Sequence, residues 1–180
     1  MDLRKLIWNL NNVKINYGLM FIAVAVFQCF TYIIFNVDFE IILNGDAKFY
    51  IGSLENLYQT GTYEYNGSFS GRMPGFMPLY TPLRILFSQQ ITLVLMVFLQ
   101  LIFYSYAIVF FTRRISETFN WGTISQMLII LLLGLTNYVS AWGNVFYTES
   151  LAVSSLLMGV GYILIFQNKT NYTKLIYAGI

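Results

Sequence analysis

Apolar and polar positions follow one another along this chain in long blocks. Four stretches without charged residues approach the length of about 20 residues that a helix needs to cross the hydrocarbon core of a membrane. These predicted spans are Tyr17–Phe35, Ile91–Phe111, Trp121–Ala141 and Ser150–Gln167. A fifth apolar run begins at Leu175 and is expected to continue past Ile180. The pattern predicts an all-α integral membrane protein, with residues 1–180 forming one transmembrane domain, a multi-span helical bundle.

One long polar segment, residues 36–90, separates the first two predicted spans. All three prolines lie in it. It also contains five of the eight carboxylates, namely Asp38, Glu40, Asp46, Glu55 and Glu64. Because turns and charge are concentrated here, we predict a large loop that carries the chemistry or the recognition function of the protein.

Two helices are predicted inside this loop. Apolar residues recur at spacings of three and four, the period of a helical stripe, at Ala47, Tyr50, Ile51, Leu54, Leu57 and Tyr58. Gly61 follows as the expected C-terminal cap. A second, juxtamembrane helix is predicted over Phe76–Phe87. The charged residues Lys48, Glu55, Glu64 and Arg84 are expected to be solvated surface.

Composition supports the membrane interpretation and narrows the chemistry. Hydrophobic residues make up 57% of the chain and charged residues 10%, against about 25% charged in a soluble domain. The chain has no histidine, which excludes imidazole acid–base chemistry and histidine metal sites within it. Its single cysteine, Cys29, excludes an intrachain disulfide. The net charge of +2 without a basic run gives no indication of nucleic-acid binding.

The distribution of basic residues predicts the orientation, since they are enriched on the cytoplasmic side of membrane proteins. With the N-terminus inside, the inner segments hold Arg4, Lys5, Lys14, Arg113, Arg114, Lys169 and Lys174, and the outer loop holds Lys48, Arg72 and Arg84. The large loop is therefore predicted to face outward. The first apolar run is long for a signal peptide, and no small-residue cleavage pattern follows it, so we expect an uncleaved span.

Four short motifs occur in an order that resembles GT-C membrane glycosyltransferases, the superfamily that includes protein O-mannosyltransferases and aminoarabinose transferases. They are GDAKFY after the first span, TGTYEY after the first loop helix, GRMPGFMPLY before the second span and FYTESLAV at the fourth. Many relatives have Asp-Glu where this chain has Asp46-Ala47. The resemblance covers most of residues 40–160 and implies the N-terminal portion of a longer protein, inactive as a fragment.

The resemblance implies an inverting transfer of a sugar from a polyprenyl-phosphate donor to a lipid, glycan or protein acceptor at the outer face of a bacterial cytoplasmic (inner) membrane. Asp46 matches the catalytic loop acid. Arg72 lies near the position of a phosphate-binding cation, and Tyr50 and Glu149 match further substrate-binding positions. Membrane lipids are the other expected partners. No cofactor or metal ligand is implied, although a divalent metal remains open.

Other interpretations of the same residues stay open. Asp46 suits an N-terminal helix cap, Arg72 suits contact with lipid headgroups, and Glu149 suits ordinary solvation at a span end. A non-catalytic scaffold or assembly subunit would use the loop for docking. Another polyprenyl-linked enzyme, such as a glycan polymerase or ligase, would share these features. A transporter is less favoured because the predicted spans contain no ionisable group.

Overall fold

The computed structural model describes residues 13–35, 45–62, 77–134 and 148–169. This part of the chain is all-helical, as predicted, and contains no strand. Its helices are α1 (Tyr17–Phe35), α2 (Gly45–Thr60), α3 (Met77–Leu86), α4 (Gln89–Phe119), α5 (Thr123–Gly134) and α6 (Thr148–Lys169).

The helices coincide with the apolar blocks of the sequence. α1 has the predicted bounds, and α6 extends the predicted run by two residues at each end. α4 continues eight residues beyond the predicted end at Phe111. For the third block the described helix covers Thr123–Gly134. Trp121 and Gly122 precede it, and residues 135–141 lie outside the described residues. The fifth run from Leu175 also lies outside them.

Two of the described helices, α1 and α4, are long and apolar enough to cross a membrane. At a rise of about 1.5 Å per residue, α1 spans about 28 Å and α4 about 46 Å. The described part of α5 spans only about 18 Å by the same measure. α5 and the apolar part of α6, Leu151–Phe166, are shorter apolar helices.

α4 is the central helix, since it contacts α1, α3, α5 and α6. Toward its N-terminal end a buried cluster joins it to α1 and to both loop helices, through Tyr32, Ile51, Leu54, Tyr80, Leu93, Met96, Val97 and Leu101. Toward its C-terminal end a second cluster joins it to α1 and α5, through Val24, Tyr104, Ile108, Val109 and Ile130. The loop helices therefore pack on the apolar bundle at one end.

The predicted cap of α2 is confirmed. Gly61 has a φ of 73°, the left-handed region that glycine adopts without a Cβ penalty. Its N–H donates to the carbonyl oxygen of Leu57 at 2.9 Å, which closes the last turn.

The predicted apolar face of α2 is correct at its centre and wrong at its edges. Ile51 and Leu54 are buried as expected. Ser53 is also buried, while Tyr58 is 37% exposed. The buried face is therefore rotated from the predicted stripe toward Ser53.

α4 and α6 approach closely at a glycine. A Cβ added to Gly161 would lie 2.6 Å from Cε1 of the Phe110 ring, much closer than van der Waals contact. Small residues at helix interfaces allow such an approach in membranes, where apolar burial gives helices no preference for each other over lipid.

We expect Gly161→Ala to lower the unfolding temperature of the chain in detergent micelles, because overpacking costs about 1–3 kcal/mol and exceeds the gain in helix propensity. The matched control is Gly52→Ala on α2, where an added Cβ would meet nothing within 4 Å. That variant should be stabilised by about 0.5–1 kcal/mol. Equal shifts in the two variants would show that the Phe110 contact does not limit this position.

Candidate functional site

The structure describes the backbone, but not the side chains, of three sequence-predicted site residues. Asp46 and Tyr50 lie in the first two turns of α2, and Glu149 lies in the first turn of α6. Arg72 lies outside the described residues. Helix α2 begins at Gly45, so Asp46 is inside the helix and does not precede it. An acid in a first turn also interacts favourably with the helix dipole.

A charged cluster joins the two loop helices and was not predicted as such. Nε of Arg84 on α3 donates to Oε1 of Glu55 on α2 at 2.8 Å. The hydroxyl of Tyr80, one turn before Arg84 on α3, donates to the same carboxylate oxygen. We call Glu55, Tyr80 and Arg84 the loop clasp. Its side chains are shielded, with Glu55 15% exposed and Arg84 22% exposed.

Two further contacts hold Arg84 in place. Its Nη1 donates to the carbonyl oxygen of Phe87 at 3.1 Å, beyond the end of α3. Its guanidinium carbon lies 4.8 Å from the centre of the Tyr58 ring, within the range of a cation–π contact. Arg84 therefore connects α2, α3 and the segment that leads into α4.

The electrostatics of the loop clasp favour one protonation pattern. Burial, then the hydrogen bond to Glu55, raise the pKa of the Tyr80 phenol well above its ordinary value. The hydrogen bond to Glu55 raises the pKa of the Arg84 guanidinium. Tyr80 thus remains a neutral hydrogen-bond donor and Arg84 a cation.

The expectation that Glu55 and Arg84 are solvated surface is wrong. The sequence contains a signal that was available: Tyr80 and Arg84 are four residues apart, and Glu55 and Tyr58 are three apart. Residues at these spacings lie on one face of a helix. What periodicity does not indicate is that the two faces meet each other.

The loop clasp fixes the helix that carries Asp46. Glu55 lies nine residues after Asp46 on α2, about 13 Å along the helix axis. Because Ile51 and Leu54 anchor the same helix in the buried cluster, the axis of α2 is held by apolar and ionic contacts together. The start of α2, with Asp46 and Tyr50, is therefore positioned by residues two turns away.

Polar side chains also connect the apolar helices to one another. Nε2 of Gln28 on α1 donates to the carbonyl oxygen of Gly134 at the end of α5. The hydroxyl of Tyr104 on α4 donates to the carbonyl oxygen of Leu133 at 2.7 Å. The last two described carbonyls of α5 thus receive donors from two other helices. Sequence reasoning missed both residues, because each lies in an apolar block.

Among the described residues, no group of three or more histidine, cysteine, aspartate or glutamate side chains is arranged to hold a metal ion. Comparison of the chain with models of protein families, with curated proteins and with solved structures finds no match.

The loop clasp should contribute measurably to stability. In a double-mutant cycle with Glu55→Gln and Arg84→Gln, we expect a coupling energy larger than that of an exposed ion pair, because the side chains are shielded and further contacts hold Arg84 in place. Chemical unfolding followed by circular dichroism measures it.

The control pair for this cycle is Arg113 and Glu117 on α4, whose Nε–Oε1 distance is also 2.8 Å but whose side chains are more exposed. Its coupling should be about 0.3–0.5 kcal/mol, as for other exposed helix pairs. A coupling at Glu55–Arg84 no larger than this would show that the loop clasp does not hold α2 on α3.

Proposed function

We propose that this chain is part of a membrane glycosyltransferase of the GT-C type, which transfers a sugar from a polyprenyl-phosphate carrier to an acceptor at the outer face of a bacterial cytoplasmic membrane. The proposal rests on the ordered motifs of the sequence. The structural observation that supports it best is the packing of α3 on the N-terminal end of α4, with α2 packed on α3 and joined to the same buried cluster. The loop that carries Asp46 is therefore folded against one end of the apolar helices.

Asp46 acts as the acceptor base in this proposal. Its carboxylate takes the proton of the acceptor hydroxyl or amine as that atom bonds to the sugar's anomeric carbon. The bond between this carbon and the carrier phosphate oxygen breaks, and the polyprenyl phosphate leaves with the electron pair. Attack from the face opposite the leaving group inverts the anomeric centre. Tyr50, one turn along α2, and Glu149 in the first turn of α6 bind the substrates.

The cation for the carrier phosphate is assigned to Arg72. An arginine suits a phosphate because its guanidinium can donate two parallel hydrogen bonds to two phosphate oxygens. Arg84, the one arginine in the described part of the loop, already donates to Glu55 and Phe87 and lies over Tyr58. These contacts give Arg84 a structural role and leave Arg72 for the phosphate.

The topology that this function requires places the N-terminus inside and α2 and α3 outside. We expect a membrane-impermeant thiol reagent, applied to intact cells, to label Thr62→Cys in a Cys29→Ser background. Phe119→Cys, at the end of α4, should be labelled only after the cells are permeabilised. Both positions are exposed on the protein, so labelling depends on the side of the membrane on which each one lies. The opposite labelling pattern would contradict the orientation and the transfer reaction with it.

We expect Asp46→Asn and Asp46→Ser to lower sugar transfer by about 10²–10⁴-fold in the full-length protein, because both remove the base. Asp46 lies inside the first turn of α2, so a purely structural role predicts a small loss of stability and normal transfer by the folded protein. The assay supplies membranes containing the protein with a panel of polyprenyl-phosphate-linked sugars and measures transfer to endogenous acceptors.

The control for this prediction is Glu117→Gln, which removes a carboxylate at the far end of α4 and should leave transfer unchanged. Expression and helical content of every variant are compared with those of the parent. If Asp46→Ser transfers sugar at the parental rate, Asp46 is not the base. If the parent transfers none of the sugars, the scaffold interpretation is favoured.

A further inference from the structure

An apolar groove of about 680 Å³ runs between α1 and α5, and the three residues of the loop clasp do not line it. Its walls include Leu19, Met20, Ala23 and Phe27 from α1, and Met127 and Leu131 from α5. The volume is within the range of small-molecule binding sites.

The groove exists because α1 and α5 both pack on α4 and are bridged at one end by side chains. The hydroxyl of Thr123 at the start of α5 donates to the carbonyl oxygen of Val13 at 2.6 Å. The Tyr17 hydroxyl at the start of α1 donates to Oε1 of Gln126 at 3.0 Å. These two bonds close one end of the groove, while its side remains open.

The closed end is polar and positively charged. Lys14 and Asn16 line the groove there. The guanidinium of Arg113, which is also paired with Glu117, lies over the Tyr17 ring with its carbon 5.3 Å from the ring centre. Trp121, two residues before Thr123, is 42% exposed. Tryptophan is enriched at the headgroup level of membranes, which indicates that this end of the groove lies at that level.

The rest of the groove is apolar and has the length of one leaflet. From Tyr17 to Phe27 the α1 wall extends about 15 Å, half of the hydrocarbon thickness of a bilayer. A cationic end at headgroup depth followed by an apolar channel of this length matches a phospholipid with a negative headgroup.

We propose that this groove binds one acyl chain of an anionic phospholipid whose headgroup contacts Lys14. The site requires only that α1 lies in a membrane, so it stands independently of the transfer reaction. In the predicted orientation the groove opens to the cytoplasmic leaflet, where anionic lipids are concentrated. The bound chain covers the open side between α1 and α5 and so completes the packing of the two helices.

Native mass spectrometry of the delipidated protein tests the proposal, with phosphatidylglycerol and phosphatidylcholine of identical acyl chains as probes. We expect the parent to bind phosphatidylglycerol about fivefold more tightly, the contribution of one lysine near an anionic membrane surface. Lys14→Gln should remove this preference and leave phosphatidylcholine binding unchanged. Arg114→Gln, which removes a positive charge that lies in the described part of the chain and does not line the groove, should retain the preference.

Filling the groove tests its location. Ala23→Trp should weaken binding of both lipids at least fivefold, and the smaller Ala23→Leu should weaken it less. The matched control is Val26→Trp on the same helix, at a position that is 62% exposed and outside the groove. Circular dichroism establishes that each variant is folded.

Three results would overturn the proposal. The first is equal affinity of the parent for the two lipids. The second is unchanged binding in both Ala23 variants. The third is a lipid-free dimer that Ala23→Trp converts to a monomer, because a second copy of the chain would then be the occupant.

Discussion

The described structure depends on α4, on which four of the other helices pack. Two of the described helices are long and apolar enough to cross a membrane, and in lipid the burial of apolar surface alone does not select a partner helix. The selection comes from shape and from hydrogen bonds. The close approach of Gly161 to Phe110 fixes α6 on α4, and the Tyr104 hydroxyl fixes α5. Each contact is specific in a way that hydrophobicity is not.

The two ends of α4 are stabilised by different chemistry. At the N-terminal end an ion pair and a phenol hold α2 against α3 beside the apolar cluster. At the C-terminal end, Asn120 adopts a left-handed conformation with a φ of 52° and ends the helix. The side chains of Ser116 and Gln126 then bind the turn into α5 through the carbonyl oxygen of Trp121. Asp46 on α2 and the groove between α1 and α5 therefore lie on different helices, which are held in place by different contacts.

Much of the fold could be predicted from the sequence, because long apolar blocks leave little choice of structure. The ends of α1 and the cap at Gly61 followed directly. The end of α4 did not, since charged Arg113 and Arg114 end the apolar block while the backbone hydrogen bonds of the helix continue to Phe119. The loop clasp was missed because Glu55 and Arg84 are 29 residues apart. Helical periodicity shows which residues share one face of a helix, but it does not show which helix that face contacts. The roles of Asp46, Tyr50, Arg72 and Glu149 remain predictions.

The bonds from Gln28 and Tyr104 to the end of α5 have a consequence for biosynthesis. A backbone carbonyl oxygen has two lone pairs, so Leu133 and Gly134 can each accept a side-chain donor from another helix. Their donors lie on α1 and α4, which leave the ribosome before α5. Both donors are therefore already synthesised when α5 emerges. The order of the helices along the chain thus allows α5 to dock on partners that precede it.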